Sequence, residues 1–249
     1  MVKESSRQLE FPNFIEIIVN HIGESSALGK FLHRWETVIF SLIIVFVLSI
    51  VAYFSFRRPK ITPGRLQAAA EFLAASLDDF VCGILGPKGR SLTPFIGTLF
   101  IYILFMNFFG LIPFMKSATS NLSTTFGLAL CVFIYVHYLA IRELGLFGYF
   151  DHLMGKPRGA LAFTIILPVF MLFIHIISEL IKPISLSLRL RSNIFADDML
   201  LAAIAGFGIK GVGLLLFSSC IVIISAVVQA VVFSLLSTIY FALFLKHEE

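Results

Sequence analysis

The sequence predicts an all-α polytopic membrane protein with about five membrane-crossing helices and one amphipathic helix at the surface. Hydrophobic residues make up 58% of the 249 residues, and phenylalanine alone supplies 28 of them. The mean hydropathy is +0.95. Only 14% of the residues are charged, whereas a soluble domain carries about 25%. So few charged side chains cannot cover so large an apolar core in water, which excludes soluble, disordered and disulfide-framework proteins.

The first part of the chain divides into a polar arm, one crossing and one amphipathic segment. Residues 1–35 are expected to form an arm at the membrane surface. The first helix, 36–58, is apolar enough and long enough to cross a bilayer core of about 30 Å. The segment 63–86 differs, because Glu71 and Asp78 interrupt its apolar residues. We therefore expect this segment to lie along the membrane surface as an amphipathic helix.

Two helical hairpins follow. Residues 91–141 form the first, because two uncharged runs are separated by a polar turn. Residues 159–245 form the second, with glycines around Lys210 at its turn. The final uncharged run, 214–245, has 32 residues and would be about 48 Å long as one helix. Because this length exceeds the apolar core by half, the last two helices are predicted to be long and tilted.

The distribution of basic residues predicts the orientation. Six Lys and Arg residues lie in 57–90, three in 142–158 and one in the tail, whereas the opposite side has four in the arm plus Lys116 and Lys210. Basic residues concentrate on the cytoplasmic side, so the N-terminus is predicted outside and the C-terminus in the cytoplasm or its equivalent. The net charge of +4 follows from this topology and does not indicate nucleic-acid binding.

The segment 178–201 contains the ionisable groups that matter most. Ionisable side chains within a spanning helix are costly and are candidates for function. At 100° per residue, five polar side chains fall within about 40° of Arg189 and form one stripe with it. Arg191 and Asp198 lie together on the other side, where they could neutralise each other, and Asp197 projects sideways. The stripe consists of His175, Ser178, Lys182, Ser185, Arg189 and Asn193.

Some of these polar residues also have structural interpretations. Lys182 could extend its ammonium group to lipid headgroups. On the last helix, Gln229 shares a face with Ser218 and Ser225. Its amide could serve the site around Arg189, or it could simply form a hydrogen bond with a neighbouring helix.

The stretch from Ser185 to Asp198 reads SLSLRLRSNIFADD and resembles the central motif of subunit a of the F-type ATP synthase. The later Gln229 resembles the glutamine of that family's closing helix. The resemblance covers about 38–245. Two departures stand out: Arg191-Ser192 occupies the position of the family's Phe-Gly, and Val222 stands where some relatives carry His or Glu.

The resemblance implies roles for individual residues. Arg189 would be the essential arginine that faces the carboxylates of the rotating c-ring, and Arg191 is a second cation that Asp198 could neutralise. The expected ion pathway consists of Asn193, Asp197, Asp198, Gln229, His175 and Glu179.

The resemblance also implies the setting. The chain would be a non-catalytic, proton-translocating stator subunit that supplies two half-channels to the c-ring. Its partners would be c-ring proteolipids, peripheral-stalk b subunits, the rest of the ATP synthase complex and the lipid bilayer. No metal or other cofactor is expected. The expected location is the bacterial inner membrane, or alternatively a thylakoid or other energy-transducing membrane. A secondary ion transporter and a non-conducting structural subunit remain as alternative functions.

Overall fold

A computed structural model describes residues 27–57, 64–112, 117–153 and 161–245. These residues form six α-helices and three short 3-10 helices and contain no strand, which confirms the predicted all-α class. The helices are α1 (Ala27–Phe56), α2 (Arg65–Leu85), α3 (Thr93–Gly110), α4 (Leu122–Leu153), α5 (Leu161–Ala205) and α6 (Val212–Leu245).

Five helices of the described chain are long and apolar enough to cross a membrane, which is the predicted number. They are α1 and α3 to α6. The amphipathic helix α2, with 21 residues, is not among them, and its position at the membrane surface stays a prediction. The tilt of α5 and α6 stays a prediction, although their lengths of 45 and 34 residues exceed what a perpendicular crossing needs.

Two helices extend beyond the predicted limits. Helix α1 begins at Ala27 rather than at 36, so the last part of the predicted arm is helical, and residues 1–26 lie outside the described chain. Helix α4 continues past 141 to Leu153. It bends at Gly145, whose φ of 69° interrupts the helical geometry before the helix resumes. A single glycine in the left-handed region thus changes the direction of α4 without ending it.

A polar cluster outside the spans joins α2 to α3. Helix α2 ends at Leu85 and is capped by Gly86, and a 3-10 helix, Pro87–Ser91, leads into α3. The Thr93 hydroxyl donates to Asp78 Oδ1 at 2.8 Å, and Arg90 Nε donates to Asp78 Oδ2 at 3.1 Å. The hydrogen bond from Thr93, together with the Arg90 guanidinium, lowers the pKa of Asp78 below its ordinary value of 3.8.

The core lies between α3, α4, α5 and α6, and α2 packs on its edge. The most extensive helix contacts join α4 to α5, α3 to α6 and α5 to α6. Every helix of this group contributes side chains that are almost fully buried. They include Val81, Ile96, Ile103, Val132, Leu190 and Phe233.

Helix α1 packs less extensively than the others. Ile44 contacts Met106 of α3, and the hydroxyls of Ser41 and Tyr102 share a hydrogen bond of 2.6 Å. Only 11% of its apolar window is buried. The remaining apolar surface of α1 therefore suits contact with lipid or with another chain.

Candidate functional site

Helix α5 has one packed face and one open face. Leu186, Leu190 and Ile194 recur at intervals of four residues and are buried against α4 and α6. Arg189 and Ser185 lie outside this face and are exposed. The predicted polar stripe therefore runs along the boundary between the packed face and the open face of α5.

Arg189 presents its guanidinium to the outside of the helix group. Within the described part of the chain, no carboxylate lies within ion-pair distance of Arg189 and no hydrogen bond to its side chain is found. The phenol of Tyr240 on α6 lies within electrostatic range of the guanidinium. Arg189 is thus a fixed cation that α5 and α6 position but do not neutralise.

One turn beyond Arg189, an amide pair joins α5 to α6. Asn193 Nδ2 donates to Gln229 Oε1 at 2.8 Å. Gln229 is only 3% exposed, and its Nε2 has no hydrogen-bond partner among the described residues. A buried amide with a free donor is suited to bind a water molecule or a polar group of another chain.

The two aspartates lie beside this amide pair. Asp197 Oδ2 accepts a hydrogen bond of 3.0 Å from the Ser225 hydroxyl on α6. Asp198 lines a small cavity together with Asn193, Asp197 and Gln229. The centre of a water molecule can occupy about 20 Å³ of this cavity, which is enough for at least one water. The sequence-predicted residues Asn193, Asp197, Asp198 and Gln229 therefore come together around one polar cavity.

The cavity also contains residues that were not predicted as part of the site. Asn107 of α3 and Ser117 of the following turn line it. Asn107 Nδ2 donates to the carbonyl of Ala226 at 3.4 Å, and its Oδ1 accepts from the Thr119 hydroxyl at 3.1 Å. Thr119 in turn shares a hydrogen bond of 2.6 Å with Ser117. This chain of buried polar groups fixes α3 and its turn against α6 at one end of the cavity.

Glu179 belongs to a second polar cluster on the other side of Arg189 along α5. It is 8% exposed, and its carboxylate forms an ion pair with Lys182 one turn later. The Lys182 ammonium lies 5.3 Å from the ring centre of Tyr240. Together with His137 of α4, these side chains line a small cavity. Lys182 therefore contacts a carboxylate of its own helix and a ring of α6, and the structure does not have the predicted extension to lipid headgroups.

His175 and Arg191 lie apart from both clusters. His175 is half-buried, and its Nδ1 lies 3.2 Å from the carbonyl of Met171 on the same helix. Arg191 is exposed on the flank of α5 opposite to Arg189. Its pairing with Asp198 stays a prediction.

A metal centre finds no support among the described residues, since they contain no group of three His, Cys, Asp or Glu side chains that could hold an ion.

Comparison with known proteins gives a consistent result over most of the chain. Residues 37–242 match the family described as ATP synthase A chain. A protein named ATP synthase subunit a from Protochlamydia amoebophila is 38% identical over 248 residues, covering 96% of this chain and 90% of the relative. The proteins of that name from Gluconobacter oxydans and Hahella chejuensis are 34% and 37% identical. The first match covers 90% of both chains, and the second covers 83% of this chain and 82% of the relative.

Proposed function

Since the chain belongs to the family of ATP synthase subunit a, we propose that it is the stationary half of the rotary ion pathway of an F-type ATP synthase. It provides two half-channels to the c-ring, and Arg189 faces the carboxylate that each ring subunit carries. The chain itself catalyses no covalent chemistry. It lies in the membrane of a bacterial cell as a multi-pass protein.

The uncompensated charge of Arg189 carries this proposal. Its guanidinium is exposed near the middle of the candidate membrane span Val169–Ala205, with no anion from the described chain beside it. A cation at this depth is costly unless an anion or water accompanies it. A carboxylate on an adjacent protein fits this requirement, because a guanidinium binds carboxylates in a planar, two-pronged geometry.

The two polar clusters supply access from opposite directions. The cavity around Asp198 lies at the end of α5 that follows Arg189, and the cluster around Glu179 lies at the end that precedes it. An ion enters by one side, neutralises a ring carboxylate and is carried through lipid until it reaches the other side. Neutralisation is needed because an ionised carboxylate in hydrocarbon costs several kcal/mol. His175 lies further along the Glu179 side of the polar stripe.

The fixed charge of Arg189 has two consequences in this mechanism. It stabilises the ionised ring carboxylate when that group passes the stator, and it blocks an ion from leaking directly between the two clusters. The driving force follows from electrostatics, since one charge crossing 100 mV yields about 2.3 kcal/mol. Several ions must therefore be combined for each ATP molecule. The translocated ion is proposed to be a proton.

Replacing Arg189 tests the proposal. In reconstituted vesicles, Arg189→Ala and Arg189→Lys are expected to abolish proton-driven ATP synthesis although the chain still inserts and assembles. Lysine retains the charge but lacks the planar fork of donors. Arg191→Gln is the matched control, because it removes a cation two residues away on the opposite flank and is expected to retain coupled synthesis. Wild-type synthesis in Arg189→Ala would contradict the proposal.

The same vesicles separate the alternative functions. A secondary transporter would move ions when the purified chain is reconstituted alone, whereas the proposed stator requires the c-ring. A purely structural subunit would tolerate neutralisation of Arg189. Neither alternative accounts for an exposed guanidinium one turn away from the hydrogen-bonded amides of Asn193 and Gln229.

A further inference from the structure

The Glu179–Lys182 ion pair lies on the same flank of α5 as Arg189. Both side chains are mostly buried, with side-chain exposures of 11% for Glu179 and 18% for Lys182. The aromatic ring of Tyr240 covers the ammonium group from α6. A buried pair of this kind is weak evidence for stability, because desolvation of both charges offsets much of their attraction. Its presence within a spanning helix therefore calls for another explanation.

Charged and titratable groups surround the pair from each helix that packs against it. His137 from α4 lies within electrostatic range of both Glu179 and Lys182, and Tyr149 from α4 lies within range of Glu179. Tyr240 from α6 interacts electrostatically with Glu179 and with Arg189. Arg189 is the nearest cation on α5 itself that has no anion within the described chain.

We propose that Glu179 is a positioning residue that holds the Lys182 ammonium against α6 and so keeps it away from the ring carboxylate that Arg189 binds. The inference rests on the proposed function. In this role, the ion pair ensures that Arg189 is the cation that the ring carboxylate meets. The carboxylate does not meet a second, mobile cation on the same flank.

Helix geometry makes Lys182 a competitor if it is released. Lys182 and Arg189 are seven residues apart, which places them about 10 Å apart along the axis and within about 20° around it. The four-carbon stem of lysine is flexible, so a released ammonium can turn from the packed face toward the open face. A cation close to a carboxylate favours the ionised form. The ring carboxylate would then take up a proton from this side only at a lower pH.

The test is the pH profile of ATP-driven proton uptake by membrane vesicles that contain the complete complex. The pH is varied on the side where α6 ends, and rates are divided by ATP hydrolysis of the detached soluble part at the same pH. Glu179→Gln is expected to move the midpoint of uptake by about one pH unit toward acid. Glu179→Asp, which keeps the charge, is expected to retain the wild-type midpoint.

A second substitution distinguishes charge from packing. The double variant Glu179→Gln with Lys182→Gln contains neither charge, and its midpoint is expected to return to that of the wild type. Lys182→Gln alone leaves the carboxylate uncompensated and is expected to shift the midpoint toward alkaline pH. If Glu179→Gln fails to assemble, the midpoint of Lys182→Gln still tests the inference.

The inference is overturned if the midpoint of uptake is unchanged in the assembled Glu179→Gln complex or in the assembled Lys182→Gln complex. It is also overturned if Glu179→Gln shifts the midpoint toward acid and the added Lys182→Gln of the double variant does not restore it. A lower rate at every pH with the wild-type midpoint indicates packing alone and also overturns it. Arg189→Ala is measured in parallel. If it pumps like the wild type, the proposed function fails. If it is inactive while the Glu179→Gln midpoint is unmoved, only the role of Glu179 fails.

Discussion

Arg189 differs from the neighbouring cation Lys182 in the partners that the chain itself provides. The neighbouring cation Lys182 has a carboxylate from Glu179 and a ring from Tyr240. Arg189 has no anion within the described residues. The two cations on one flank of α5 therefore differ in their surroundings, and this difference supports the proposed role of Arg189 toward a partner.

Asp198 is expected to assist ion entry without being indispensable. It lines the polar cavity, but Asp197 and Asn193 line the same cavity and offer alternative hydrogen-bonding groups. We predict that Asp198→Asn slows proton pumping several-fold and retains partial coupling, while Asp198→Glu stays close to the wild type. Pumping rates in vesicles at equal assembly measure this, and a full wild-type rate in Asp198→Asn would remove Asp198 from the pathway.

The hydrogen bond between Asn193 and Gln229 is expected to couple α5 to α6. Hydrogen bonds between membrane helices contribute about 0.6 kcal/mol on average. A double-mutant cycle of Asn193→Ala and Gln229→Leu should therefore give a coupling energy of that order in the thermal stability of the complex. Ser219→Ala is a suitable control partner, because its hydroxyl bonds only to its own helix at Leu215. Equal coupling energies for Gln229 and Ser219 would contradict the prediction.

At the level of helices, two local structures, called devices here, set the directions of helices in a way that the amino-acid composition does not reveal. Gly145 turns α4 within a continuous hydrophobic stretch, and the cluster of Asp78, Arg90 and Thr93 fixes the surface helix α2 to the start of α3. Both features determine where the backbone of a core helix lies. Their loss should therefore affect stability before it affects ion chemistry.

Gly145 tests the first device. Its φ of 69° is unfavourable for a side chain, and nothing lies within 4 Å of an added Cβ. Gly145→Ala should therefore cost about 1–3 kcal/mol through backbone strain alone. Gly148→Ala is the control, since that glycine has no positive φ and its added Cβ makes an ordinary contact. The measurement is the thermal stability of the two variants, and equal losses would contradict the interpretation.

Asp78 tests the second device through pH. A carboxyl group whose pKa is lowered by folding stabilises the fold above its ordinary pKa, and this contribution is lost only as the pH falls through the lowered value. Asp78→Asn should therefore lower the midpoint of thermal unfolding by the same amount at pH 5 and at pH 8. Asp79→Asn, at an exposed position, is the control. A loss that changes between these two pH values would show that Asp78 titrates within the window.

Thr93→Val examines the same cluster from the other helix. It removes the hydroxyl that donates to Asp78 while it keeps the shape of the side chain, and it should cost about 1 kcal/mol. Arg90→Gln should cost little, because the Arg90 side chain is 81% exposed. A larger loss of thermal stability in Arg90→Gln than in Thr93→Val would reverse this order.

For the whole molecule, hydropathy and helical periodicity were sufficient to predict the number of spans and the faces of α5. They could not predict the contributions of Asn107, Thr119 and His137, because these depend on which helices pack together. The polar turn after α3 has the composition of an exposed loop, yet Thr119 is fully buried there. The extension of α4 was also missed, because the uncharged run ends at Arg142 and the helix was expected to end with it, whereas the helix continues to Leu153.

The exposed apolar surface of the chain predicts its association. Side chains such as Phe46, Phe54 and Ile224 are more than half exposed, and the open flank of α5 carries Arg189. We predict that the chain co-purifies in mild detergent with a small two-helix proteolipid that has a carboxylate within its span. Arg189→Ala should leave this co-purification intact, because the apolar surface drives it. Recovery of the chain without such a proteolipid would contradict the prediction.

The central claim is that the flank of α5 that contains Arg189 faces the ring carboxylate, and disulfide cross-linking measures this most directly. Three serines of α5 are placed around Arg189: Ser185 and Ser192 are exposed, and Ser187 is 1% exposed. In a chain without Cys82, Cys131 and Cys220, each is replaced by cysteine and paired with a cysteine beside the proteolipid carboxylate. We predict cross-links from Ser185→Cys and Ser192→Cys and none from Ser187→Cys. Cross-links from Ser187→Cys alone, or from none of the three, would contradict the account.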